Sequence, residues 1–70
     1  MRLSTHAQRR ATERGISRTE AQAVLDKPDV TFADKKGNPC YIRTIDGRRI
    51  KVVVAADDPD FVITIIDLDA

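Results

Sequence analysis

The sequence predicts a small α+β domain, with two N-terminal helices packed on a four-stranded antiparallel β-meander. Three observations carry that expectation. Two helix-start signals, at Ser4 and Ser17, lie within the first 28 residues. After Val30 the apolar period changes from helical to alternating. The dipeptide Asp46-Gly47 then stands between two apolar runs, a strong hairpin signal.

The first helix opens at Ser4, a serine N-cap before Thr5-His6-Ala7. It runs to about Arg14, where Gly15 suits the left-handed position that ends helices. Its apolar residues Leu3, Ala7 and Ala11 recur every four positions, a narrow stripe that requires close packing. In the second helix, Ser17-Arg18-Thr19-Glu20 matches a capping box. Ile16 and Ala21 form its hydrophobic staple, and Ala21, Val24 and Leu25 its buried face. Lys27-Pro28 stops it, because a residue before proline avoids helical angles.

Four strands are expected at Val30–Phe32, Tyr41–Ile45, Arg48–Ala55 and Phe61–Leu68, with turns at Lys36-Gly37-Asn38 and Asp57–Asp60. A two-residue loop at Asp46-Gly47 pairs Ile45 with Arg48, Arg43 with Ile50, and Tyr41 with Val52. One face then carries Tyr41, Ile50, Val52, Val54, Ile63 and Ile65, the bed for the helices. The other mixes Ile42, Val53, Val62 and Ile66 with Thr44, Arg49, Lys51 and Thr64. Two short helices cannot cover both faces. The second is therefore expected to meet a ligand, a partner protein or a second copy.

Seventy residues make one domain, residues 1–70. The 41% hydrophobic content is too high for a disordered chain. Cys40 has no cysteine partner, and no signal peptide or long apolar run is present. A cytoplasmic protein away from membranes is the expectation. One His and one Cys cannot furnish a His/Cys zinc site, and no cofactor or metal is implied. The net charge of +1 hides a split. Residues 1–56 hold twelve Lys and Arg against six Asp and Glu, and residues 57–70 hold five Asp and no base. Either the basic body meets an anion such as a nucleic acid, or the acidic end neutralises it in the fold.

His6, Arg10 and Arg14 recur every four residues, in line along the first helix. They fall about 100° from the Ala7–Ala11 stripe, at the edge of the packed surface. Cations in such a line repel one another, and a bound anion would relieve the repulsion.

The stretch Ser4–Ser17, with the pattern S-x-H-A-x-x-R-x-x-x-R-G-I-S, resembles the opening of a small bacterial family, the domain-of-unknown-function family 4258. Pro28-Asp29, Asp46-Gly47, Lys51–Val54 and Val62-Ile63-Thr64 are similar to its later parts, so the likeness runs from Ser4 to about Ile66. That family is grouped by fold with metal-independent ribonucleases of the barnase, colicin and RelE-like toxin kinds. The resemblance therefore implies a toxin-like endoribonuclease, or an RNA-binding relative with a cognate inhibitor protein. On that reading His6, Lys51 and Thr64 are the catalytic set. His6 is the general acid or base. Arg10, Arg14 and Arg49 hold RNA phosphate together with Lys51. The alternative is a non-enzymatic interaction or homodimerisation module with a structural His/Arg helix.

Overall fold

The computed structural model describes residues 1–70, in the order β1 (Arg2–Leu3), α1 (Thr5–Arg14), α2 (Arg18–Asp26), β2 (Val30–Ala33), β3 (Pro39–Ile45), β4 (Arg48–Ala55) and β5 (Asp58–Asp67). The α+β class holds, and the sheet corrects one expectation. It has five strands, in the order β1-β5-β4-β3-β2, and β1 runs parallel to β5. β1 was not readable in the sequence because two residues define no period. Tertiary pairing decides it: Arg2 and Leu3 lie opposite Phe61 and Val62, and the Ser4 amide donates to the Val62 carbonyl at 2.9 Å.

Both helices begin and end as their caps dictate. Ser4 Oγ accepts from the Ala7 amide at 2.9 Å, and the same hydroxyl donates to the Ile63 carbonyl of β5 at 2.6 Å. One residue thus caps α1 and fastens it to the sheet. Gly15, at φ 64°, closes α1. The Ile16 amide reaches the Ala11 carbonyl and the Gly15 amide that of Thr12, the paired bonds of a Schellman ending. At α2, Ser17 Oγ accepts from the Glu20 amide at 3.0 Å and Glu20 Oε1 from the Ser17 amide at 2.9 Å. That is the reciprocal capping box.

The β3–β4 register is the expected one, with Ile45 opposite Arg48, Arg43 opposite Ile50 and Tyr41 opposite Val52. The β4–β5 register is not. The hairpin turns at Ala56-Asp57, because Ala55 already pairs with Asp58. Residues 59–61 then leave the β4 ladder, and Phe61 pairs with β1 instead. A second shift follows, since Val54 faces Val62 and Val53 faces Thr64. Ile63 is the extra residue of this bulge, and a bulge of one residue reverses which side chains face inward. Val62, expected on the open face, is fully buried with Val54 under the helices. Ile63, expected in the core, is only half-buried.

The core joins Ala7, Ala11, Ile16, Ala21 and Val24 to Ile50, Val52, Val54, Val62 and Ile65. The alanines let the helices lie close to the sheet. Full burial of each Val or Ile side chain contributes about 1.5–3 kcal/mol. Across the sheet, the other face carries the rows Val30–Ile42–Lys51–Ile66 and Phe32–Cys40–Val53–Thr64, with Thr44 opposite Arg49 beyond them. No helix of the chain is long and apolar enough to cross a membrane.

Candidate phosphate-binding site at the β5 edge

α1 rests chiefly on β5, with Ala7 and Ala11 buried beneath it. Because β1 pairs only with Phe61 and Val62, no strand covers the same side of β5 from Thr64 onward. The outer line of α1 overhangs that bare edge. His6, Arg10 and Arg14 there line a hollow of about 270 Å3 with Thr64, Ile66 and Asp67. The side chains of the three α1 residues are exposed and that of Thr64 is half-buried.

The fold therefore brings His6, Arg10, Arg14 and Thr64 together. Lys51 lies round the strand. It pairs across the sheet with Ile66 on the face opposite the helices, and lines a second hollow of about 420 Å3. Thr64 and Ile66 belong to both hollows, so they form the wall between them. Arg49 lies in neither hollow. Its Nη2 and Nε donate to Asp69 Oδ1 at 2.9 and 3.2 Å, while its amide donates to Asp69 Oδ2 at 2.8 Å.

The acidic end does neutralise part of the basic body, and the choice of partners is informative. Asp58 and Asp60 pair with Arg2, and Asp60 also with the N-terminal ammonium. Asp67 pairs with Arg48 at 3.8 Å, and Asp69 with Arg49. None of these aspartates pairs with His6, Arg10, Arg14 or Lys51. Arg10 has only Glu13, one turn on, at 3.6 Å, an exposed contact worth little in water. His6, Arg14 and Lys51 have no carboxylate partner within 4.0 Å.

Sequence reasoning missed Arg48. Its guanidinium donates to the Arg14 carbonyl at 2.7 Å and the Gly15 carbonyl at 3.3 Å, and pairs with Glu20 at 3.4 Å. A cation thus sits on the negative end of α1 and ties it to α2 and β5. The Ser17 amide first, and then the Ser17 hydroxyl and Arg48, hold the Glu20 carboxyl below its ordinary range. Lys35 and Lys36 were missed too. They line the second hollow from the β2–β3 turn, and two lysines before Gly37-Asn38 were the available signal.

In chemical terms the first hollow offers two guanidinium groups, a hydroxyl and one imidazole beside a bare strand edge, while its acidic side chain, Asp67, is paired with Arg48. The cations and the hydroxyl suit an oxyanion such as a phosphodiester, and the imidazole can accept or donate a proton. No curated protein and no solved structure matches the chain. The family model that does match, described as a domain of unknown function, spans residues 3–67, and the chain accordingly belongs to the DUF4258 family.

Proposed function

We propose that this domain binds RNA through its phosphodiester backbone at the α1–β5 hollow, and cleaves it without a metal, with His6 as the proton-transfer group. One observation carries the reading. The C-terminal aspartates pair with Arg2, Arg48 and Arg49, which leaves the hollow's cations without strong partners. The resemblance of the α1 motif to a family grouped with metal-independent ribonucleases points the same way. Arg10 and Arg14 hold the phosphate and stabilise the added charge of the phosphorane, Lys51 approaches from across the strand, and Thr64 orients the phosphate.

In the cleavage step the ribose 2′-oxygen bonds to the adjacent phosphorus and the bond from phosphorus to the 5′-oxygen breaks. The products are a 2′,3′-cyclic phosphate and a 5′-hydroxyl. His6 takes the proton of the 2′-hydroxyl or gives one to the 5′-oxygen, and water handles the other. The test is incubation of the purified protein with RNA in EDTA. Cyclic-phosphate ends that vanish in His6→Ala, with binding retained, are the expected result. Cleavage that survives in His6→Ala removes His6 from the chemistry. Binding without cleavage reduces the function to RNA binding.

A second reading is favoured by the exposed apolar side chains Val30, Phe32 and Ile66 on the open face. There the domain is an interaction module that self-associates or holds an inhibitor protein. Sedimentation at high concentration checks self-association: a monomer throughout counts against it.

A further inference from the structure

We propose that the open face of the sheet selects RNA as a single strand, by stacking a nucleobase on Phe32 beside Lys51. This rests on the RNA reading above and adds the substrate's form and a base-binding position to it.

Phe32 lies on the edge strand β2 and is 44% exposed, unusual for one of only three aromatic residues in the chain. Cys40, opposite Phe32 in the sheet, is fully buried and Val53 beyond it nearly so, so the row that Phe32 heads is apolar. The Lys51 ammonium stands over the ring, 5.3 Å from its centroid, and a base that stacks there displaces it from the ring face toward the phosphate. Lys51 shares its hollow with Lys35 and Lys36, and none of these three lysines has a carboxylate within 4.0 Å. Asp34 is the acid on this hollow. Its oxygens accept from the Lys36 and Asn38 amides and the Asn38 side chain, so they serve the turn itself.

Phe32 and Thr64 stand at opposite ends of one cross-sheet row, three strand spacings or about 14 Å apart. A chain whose phosphate lies in the α1–β5 hollow can pass over Thr64, follow Lys51, and set a base on Phe32. An aromatic ring next to unspent cations is the arrangement that binds single strands, since every base has a π-face and phosphates follow the positive groove. A duplex hides its base faces in the helix and offers this surface phosphates, 2′-hydroxyls and base edges but no π-face to stack. Stacking of this kind predicts little preference for base sequence.

The test is fluorescence anisotropy with a labelled RNA oligonucleotide, with the same strand annealed to its complement, and with an abasic strand of equal length. The single strand should bind wild type more tightly than the duplex does. Phe32→Leu, which keeps an apolar cover over Cys40, should weaken single-strand binding about tenfold. Phe32→Tyr should restore it, and the abasic strand should not distinguish wild type from Phe32→Leu. Equal binding of single strand and duplex overturns the proposal, as does wild-type affinity in Phe32→Leu. If Arg10→Ala/Arg14→Ala loses binding and Phe32→Leu keeps it, RNA binding stands and the stacking position falls. If wild type binds none of the three RNAs, both fall. A Phe32-dependent dimer that RNA does not dissociate assigns the face to self-association and also overturns the proposal.

Discussion

Arg48 and Arg49 are neighbours in the chain, point to opposite sides of β4, and do different work. Arg48 turns toward the helices and bonds to two carbonyls at the end of α1. Arg49 turns the other way and is held by Asp69. Strand alternation set the two on opposite faces, but their partners could not be read in the sequence, because those lie 19 to 34 positions away. The His6–Arg10–Arg14 line, by contrast, was legible from helical spacing alone, since its members lie within three turns of one element. Arg48→Ala is expected to destabilise the fold by about 1–2 kcal/mol, mostly from stranded carbonyls and the loss of charged hydrogen bonds in a partly solvated place. Urea unfolding measures it, and a midpoint unchanged from wild type would remove Arg48 from the joint between α1, α2 and β5.

At the scale of elements, whatever local chemistry fixes was readable. The Ser4 cap, the Gly15 ending, the Ser17–Glu20 box and the Asp46-Gly47 hairpin each depend on residues within a few positions of one another. What escaped was set by distant pairing. β1 exists because β5 leaves the β4 ladder at residues 59–61 and needs another partner. The bulge at Ile63 then exchanges the roles of Val62 and Ile63, which strict alternation could not foresee. Because β1 pairs no further than Val62, Thr64 and the residues after it have β4 on one side and no strand on the other, and that bare edge is where the candidate site forms. Two truncations separate the observed register from the expected one. Val62→Ala should cost about 2 kcal/mol, the loss of two buried methyls and the cavity they leave. Ile63→Ala should cost less, although it removes more carbon. The reverse order in denaturant melts would restore simple alternation along β5.

Over the whole molecule, the chain's near-zero charge is divided between a neutralised part and a basic track. Carboxylates of Asp34, Asp60 and Asp69 are held below their ordinary values, by the Asn38 amide, the N-terminal ammonium and the Arg49 amide respectively. Glu20 behaves likewise. A carboxyl depressed in the folded state adds stability that is complete above its unfolded value and is lost as pH falls through the folded one. Stability should therefore be level above about pH 5.5, and fall as pH drops below the ordinary values of 4.5 for Glu20 and 3.8 for the aspartates. Thermal melts from pH 7 to pH 2 check this. A stability that rises on acidification would mean these carboxylates repel more than they bind.

The basic track is His6, Arg10 and Arg14 on one side of Thr64, with Lys51, Lys35 and Lys36 on the other. The most direct test of its role is the salt dependence of affinity for a short single-stranded RNA, measured for wild type and for Arg10→Ala/Arg14→Ala. Each phosphate contact on a single strand adds about 0.7 to the slope of log affinity against log salt. Because Arg10 and Arg14 hold one phosphate between them, the double variant should bind more weakly and its slope should be shallower by about 0.7. Equal affinity and equal slope in the two proteins would contradict phosphate binding at this edge.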